Sequence, residues 1–166
     1  MIILGIDPGY AIVGIGVLEY KAGKFRPIEY NAITTHSSMA SSLRLKFIYE
    51  EIGAYLDKYK PDAVAIEELF FNSNQKTAIL VAQARGVLVA QTAIRDIPIY
   101  EYTPLQIKQA VTGYGRADKS QIQQMVKLLL GLNSIPKPDD AADALAVAIC
   151  HAHSAKANDA LGTNRL

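Results

Sequence analysis

Asp7 ends the run IILGID and is followed at once by Pro8-Gly9, a pair that stops strand pairing and lets backbone pass close to whatever the carboxylate holds. Glu67 ends a second apolar run, DAVAIE, in the same manner. If the two strands are parallel neighbours, both acids emerge at the carboxyl edge of the sheet, where open α/β folds take their ligands. Two acids at one edge repel. A proton or a cation must relieve that repulsion, and carboxylates suit hard ions such as Mg²⁺ and Mn²⁺. A third segment, PDDAADALA, adds Asp140 and Asp143, which at i,i+3 share one face of a helix. Asp139 and Asp143, at i,i+4, do so equally well. Capping separates the two choices: a helix starting here wants an N-cap, and Asp139 is placed to direct its side chain at the amides of Ala141 and Ala142, leaving Asp140 for a metal. Acids also suit a helix N-terminus with no metal present. Asp143 is harder to account for that way, because an unpaired charge beside the apolar stripe of ALAVAI is costly to bury. Four carboxylates from three segments, around two divalent ions, form a site for in-line attack of water on a phosphodiester.

Setting those four negative charges aside from a formal net charge of +1 leaves +5 on the rest of the chain, a modestly basic surface that favours a nucleic-acid substrate. Lys108, Arg116, Lys119 and Lys127 lie close in sequence against a single acid, Asp118, with Tyr114 among glycines. Lys119 falls at the first position of a capped helix, where the dipole disfavours a cation by about 0.3 to 1 kcal/mol and welcomes a phosphate. It is either an exposed lysine tolerating that penalty or a phosphate ligand. Phe70 and Phe71 follow the second acid strand; they belong to a core or stack on an unpaired base at the rim. His151 and His153, at i,i+2, face different sides of a helix and do not make a metal pair.

Positioning such a site requires a sheet whose strands end together. Residues 2 to 35 read as three strands joined in an antiparallel meander, the last two through KAGK. From Ser41, Leu45, Ile48, Ile52, Tyr55, Leu56 and Tyr59 recur at helical spacing until Pro61 forbids continuation. DAVAIE reads as a strand buried on both faces. Residues 76 to 94 form a helix apolar on more than one face, covered either by its own chain or by a partner. IPIYEY is another strand. Thr103-Pro104 with Gln106, and Asp118 with Gln121, are capping boxes that open two helices, closed by Gly113 and Gly131. A final Ala-rich helix begins near Asp139. The pattern predicts an α/β fold: a mixed five-stranded sheet, antiparallel in its first three strands and then parallel, with helices on both faces.

At 166 residues with 50% apolar and 20% charged side chains, one globular domain over residues 1–155 is expected, with a frayed tail at 156–166. A single cysteine, Cys150, excludes a disulfide framework and a CxxC zinc site, and points to a reducing cytoplasm. With no apolar stretch near membrane length and no basic region ahead of MIILGI, neither export nor membrane insertion is expected.

The same residues resemble the RuvC-type Holliday junction resolvases, bacterial endonucleases with an RNase H-like fold. The likeness rests on ILGIDPG with Asp7, AIEELFF with Glu67, the QARG of Gln83 to Gly86, YTPLQIKQAVTGYGRADKSQ with Lys108 and Lys119, and DAADALAVAICHAH with Asp140 and Asp143, in that order over residues 2 to 153. The resemblance implies a homodimer that binds a four-way DNA junction and nicks two strands symmetrically, leaving 5′-phosphate and 3′-hydroxyl ends, in recombination and DNA repair. It implies that Asp7, Glu67, Asp140 and Asp143 hold Mg²⁺, that Lys108 and Lys119 are needed for catalysis, and that Phe70 stacks near the crossover. It places the 76 to 94 helix near the dimer contact, and RuvA and RuvB as branch-migration partners. Spacing alone speaks for metal-dependent phosphodiester cleavage and leaves open a nuclease acting on duplex or RNA-DNA hybrid. An actin-like ATP-binding fold, which needs two such domains, fits the length less well.

Overall fold

The computed structural model describes residues 1–69, 75–161 and 164–166. Five strands, β1 (Ile2–Asp7), β2 (Ile12–Lys21), β3 (Lys24–Thr34), β4 (Ala63–Glu67) and β5 (Ile99–Tyr102), form one sheet in the order β3-β2-β1-β4-β5. β1, β2 and β3 pair antiparallel, whereas β1 pairs with β4 and β4 with β5 in parallel. The expected architecture is therefore present, including the adjacency of the two strands that end in Asp7 and Glu67.

Strand alternation divides the side chains between two unlike faces. Leu4, Ile6, Val13, Ile15, Val17, Val64 and Ile66 point to one face and bury against α1 (Ser41–Tyr59) and α2 (Gln75–Ala93). On α1, Ile48, Ile52 and Leu56 turn inward at helical spacing. Each contributes about 1.5 to 3 kcal/mol when fully buried. The helix ends at Lys60, whose left-handed conformation returns its N–H to the Leu56 carbonyl, just before Pro61.

The other face carries Ile3, Ala63, Ala65 and Leu18, with Gly5 opposite Gly16 and Asp7 opposite Gly14. Small residues here admit α5 (Asp139–Leu161), in which Ala141, Ala142, Ala144, Leu145, Ala146, Val147, Ala148, Ile149 and Cys150 are at most 1% exposed. Helices α3 (Pro104–Thr112) and α4 (Lys119–Leu129) cover α5 from outside. Contact between α5 and the sheet is backbone on backbone. A Cβ added to Gly5 would lie 2.1 Å from the Ala144 carbonyl oxygen, and one added to Gly14 would lie 2.0 Å from that of Asp140.

Both expected capping boxes form, Thr103 with Gln106 and Asp118 with Gln121. One expectation is corrected. Asp139 does not direct its carboxylate at the helix amides: Lys137 Nζ donates to its Oδ1 at 2.7 Å, and the Pro138 carbonyl accepts the Ala141 N–H instead. A mobile cation two residues away competes better for the carboxylate than amides already met by backbone. α5 continues to Leu161, and Asn164–Leu166 pair with β5. The β5 edge has free backbone groups, and the chain end satisfies them. Of the two coverings open for α2, its own chain takes one side, where Ala84, Leu88, Gln91 and Thr92 are buried, while Ile79 is 60% exposed and Ile94, just beyond the helix, 67%. Among the described residues no helix is long and apolar enough to cross a membrane.

Gly5→Ala is expected to destabilise the protein by about 1 to 3 kcal/mol, because the opposing atoms are helix backbone and cannot rotate away. Urea denaturation should show a lower midpoint with an unchanged slope; a parental midpoint would contradict the close helix–sheet contact.

Candidate active site

Asp7 and Glu67 end adjacent parallel strands, and alternation turns both toward α5. The first turns of α5 reach them because Gly14, the residue paired with Asp7, has no Cβ to hold off the Asp140 carbonyl. Asp140 and Asp143 are thereby brought into the electrostatic field of Asp7. Asp139 looks the other way along the same turn, toward Lys137 and α4. Sequence spacing left Asp139 and Asp140 equivalent until capping was invoked. The structure separates them by which neighbour each faces.

Burial of acids side by side shows in their proton affinities. Asp7 is pushed from 3.8 to about 8, first by loss of water and then by the charges of Glu67, Asp143 and Asp140, with Lys119 opposing. Glu67 is pushed from 4.5 to about 7 by burial and by Asp143, against Lys108 and Lys119. Asp143 is also raised, chiefly by burial, although a hydrogen bond from Lys119 pulls the other way. Lys119 has its own proton affinity raised: burial works against the ammonium, and the bond and charge of Asp143 outweigh it.

Lys119 is delivered by the first turn of α4. Asp118 caps that helix through the Gln121 N–H at 2.9 Å, and Gln121 returns Oε1 to the Asp118 N–H at 2.9 Å. From there Lys119 Nζ stands 3.0 Å from Asp143 Oδ2 and 3.9 Å from Asp139 Oδ2. Lys108 comes from α3, whose start is set by the Thr103 box. A cavity of about 210 Å³ opens between these elements, lined by Glu67, Asp143, Lys108 and Lys119, with Pro104, Ile107, Ile122 and Ala146 as its apolar walls. An extended chain carrying anionic groups matches such a lining: cations to hold a phosphate, and acids to bind a hard cation or move a proton.

Six of the expected residues thus meet: Asp7, Glu67, Asp140, Asp143, Lys108 and Lys119. Arg116 does not line the cavity; it lies exposed in the connector between α3 and α4. The expected stacking residue Phe70 lies outside the described residues. Among the described residues no three Asp, Glu, His or Cys side chains form a ready-made metal cage. The four acids share a field rather than a coordination shell, and the Lys119 ammonium neutralises part of it. Their chemistry nevertheless fits a hard cation, since all are carboxylates and the repulsion that lifts Asp7 and Glu67 is what added positive charge would cancel. Two contributors were not singled out for these roles by sequence: Gly14, legible only as a small residue in a strand, and Asp139 as a second anchor for Lys119, foreshadowed by its i,i+4 spacing from Asp143.

Comparison with known proteins agrees with this geometry. Residues 3–151 match the family model described as crossover junction endodeoxyribonuclease RuvC. A protein of that name from Alkaliphilus oremlandii (strain OhILAs) is 64% identical over 154 residues, covering 93% of this chain and 94% of its own. The Thermus thermophilus RuvC structure superimposes with a TM-score of 0.88 at 35% identity, over 100% of both chains. The T. thermophilus RuvC solved in complex with a Holliday junction substrate gives a TM-score of 0.92 at 36% identity, over 100% of this chain and 99% of that one. With five strands in the RNase H-like order and the acids at their carboxyl ends, this chain belongs to the RuvC family of crossover junction endodeoxyribonucleases.

Proposed function

We propose that this chain resolves four-way DNA junctions by paired, symmetric, metal-dependent hydrolysis of phosphodiesters, leaving 5′-phosphate and 3′-hydroxyl ends, in recombination and repair in the cytoplasm. The observation that carries the reading is the convergence of Asp7 and Glu67 with the α5 acids in one desolvated field beside two lysines. Junction specificity rests on family membership and on the T. thermophilus relative bound to its Holliday junction substrate.

Asp7, Glu67, Asp140 and Asp143 would hold Mg²⁺, or Mn²⁺ in its place, at two ions per site. A divalent ion so held supplies Lewis-acid activation of water and stabilises the leaving oxygen. The remaining work belongs to the side chains. Lys119, whose ammonium stands beside Asp143 at the N-terminus of α4, would hold a phosphate oxygen of the substrate. Lys108 approaches the same cavity from the α3 side. A second copy of the chain would place an equivalent site against the other strand of an approximately two-fold junction. The exposed side of α2, with Ile79 and nearby Ile94, supports that homodimer. Phe70 would stack near the crossover, Arg116 would contact DNA from the exposed connector, and RuvA and RuvB would be the partners.

The function is tested by incubating the protein with an immobile four-way junction, a linear duplex and an RNA-DNA hybrid, with and without Mg²⁺. Cutting confined to the junction with Mg²⁺ is expected; equal cutting of duplex or hybrid would favour another nuclease of the same fold. In that assay Asp7→Asn, Glu67→Gln and Asp143→Asn should each lose at least about 100-fold in rate while retaining junction binding. Parental cutting by all three would remove the basis of the site.

Lys119→Ala should reduce the single-turnover rate more than the affinity, by about 10 to 100-fold against less than about threefold, as for a group acting in the transition state. Equal losses would make Lys119 a ground-state phosphate contact.

Proton linkage gives a test independent of cleavage. Asp7 and Glu67 hold protons in the folded state to higher pH than in the unfolded chain. Between the unfolded values near 4 and folded values near 7 and 8, the native state binds more protons, so their contribution to stability is present below pH 4 and lost as pH rises to 8. In metal-free protein, Asp7→Asn should therefore be stabilised relative to parent more at pH 8 than at pH 5 by thermal denaturation. Added Mg²⁺ should raise the parent Tm at pH 8 and have less effect on the variant. An identical pH dependence in both proteins would contradict the buried acid pair.

A further inference from the structure

Asp7 is the last residue of β1, and nothing in the strand itself decides where the chain goes next. The following turn, Pro8 to Ala11, is held from the opposite side of the molecule by two residues outside the acid site. Thr35, just past β3, donates its N–H to the Ala11 carbonyl at 2.8 Å and its hydroxyl to the Tyr10 carbonyl at 2.8 Å. Arg44, in the first turn of α1, donates Nε–H to that same Thr35 hydroxyl oxygen at 2.8 Å and a second N–H to the Tyr10 carbonyl at 3.3 Å. Its guanidinium lies 3.9 Å from the centre of the Tyr10 ring, while the Tyr10 hydroxyl is hydrogen-bonded to Ser41 Oγ at 2.8 Å. One half-buried side chain therefore fixes the carbonyl, the ring and the hydroxyl partner of this turn at once.

The turn has little room of its own. A Cβ on Gly9 would fall 1.9 Å from the Ile12 carbonyl oxygen, so the chain doubles back tightly between the two strands. Asp7 is tied to Gly14 by the β-ladder on one side, and Tyr10 and Ala11 are tied to Thr35 and Arg44 on the other. A shift of Tyr10 has only two residues, Pro8 with its fixed φ and Gly9 crowded against the Ile12 carbonyl, across which to relax before it reaches the backbone that carries the Asp7 carboxylate. The Arg44 donors reach inward to turn carbonyl and hydroxyl oxygens, and its planar face is occupied by Tyr10. This arrangement suits a brace for the turn.

We infer that Arg44, acting through Thr35 and Tyr10, is a positioning residue for the reaction: it fixes the turn after β1 and thereby the placement of Asp7. The inference rests on the proposed role of Asp7 and extends it to a residue on a different element. A misplacement of about 1 Å at a reacting group costs on the order of 100-fold in rate, so a brace of this kind is visible in kinetics even where the fold survives.

Parent, Arg44→Ala, Arg44→Lys and Asp7→Asn are compared by single-turnover cleavage of an immobile junction at saturating protein. Junction affinity is measured by gel shift, and amide hydrogen exchange is followed in the protein alone. Arg44→Ala should cut at least about tenfold more slowly, with affinity within about threefold of parent and faster exchange confined to the Asp7–Val13 segment and the Thr35 amide. Arg44→Lys, which keeps a donor but not the planar fork, should fall between the two. A parental rate in Arg44→Ala alongside an inactive Asp7→Asn overturns the brace and leaves the site intact. Parental rates in both overturn the role of Asp7. Affinity lost in step with rate makes Arg44 a DNA contact, and exchange raised throughout the chain makes it a general stabiliser; either result overturns the inference.

Discussion

Everything at the carboxyl edge of this sheet depends on how closely α5 lies on β1 and β2. Helix backbone meets strand backbone because glycine occupies the strand positions beneath it, with the Ala144 carbonyl over Gly5 and the Asp140 carbonyl over Gly14. Ordinary side chains would hold a helix about 10 Å from a sheet, the spacing of packed layers, and the α5 acids would then stand off from Asp7. The registry is equally specific. Gly14 is the residue opposite Asp7 in the ladder, so the point of nearest approach is also the point where the acids must converge. The glycine positions themselves bury no side chain, and the residues around them make up the area: Ile3, Leu18, Tyr102 and Leu145 fill the α5 side, while Leu4, Ile6, Val13, Ile15 and Val17 pack against Ile48, Ile52 and Leu56 of α1 on the other. Both sides of the sheet bury apolar clusters, and the α5 side also sets the placement of the acids.

That placement has an electrostatic cost, which the fold reduces in two ways. Asp139, Asp140 and Asp143 sit in the first turns of α5, where the positive end of the helix dipole favours negative charge. Asp7 and Glu67 come from strands and have no such help, and theirs are the carboxyls raised furthest, to about 8 and about 7. The second device is Lys119. Its position at the start of α4 opposes the dipole of its own helix, yet there its ammonium reaches Asp143 at 3.0 Å and lies within 4 Å of Asp139. A residue unfavourable in its own helix is favourable in the field of another.

The parts of this structure legible in sequence are those decided over short range. Capping boxes at Thr103–Gln106 and Asp118–Gln121 formed as spaced, because each involves a few consecutive residues and backbone amides with no rival. The meander and the parallel β4 followed from strand periodicity and a buried apolar run. Asp139 shows where the same logic fails: it has the spacing of an N-cap, but Lys137 takes the carboxylate. The chain end shows the other limit. Nothing local in its last three residues points to the edge of β5, more than sixty residues earlier, with which Asn164–Leu166 pair. The small residues Gly5, Gly14, Gly16, Ala63 and Ala65 are plain in the sequence, the last four in pairs two positions apart along their strands, but their meaning required knowing that an alanine-rich helix would lie across them.

The acid site and the outer face of α2 lie on opposite sides of the same sheet, and the contrast between them bears on how a dimer would work. α2 buries Ala84, Leu88, Gln91 and Thr92 and packs Val87 and Val89 on the core, yet leaves Ile79 and the neighbouring Ile94 in water, which for a lone chain gains nothing. The acid site is different, because the described residues that line it, from β4, α3, α4 and α5, all come from one chain and leave its cavity open to solvent. A partner copy docking through α2 would therefore leave each site's acids and lysines as they are in the single chain. Each site is assembled from one polypeptide, and association would set the spacing between two of them. For a substrate whose strands must be cut in matched pairs, that separation lets the chemistry be held rigid while distance and orientation are set at the interface.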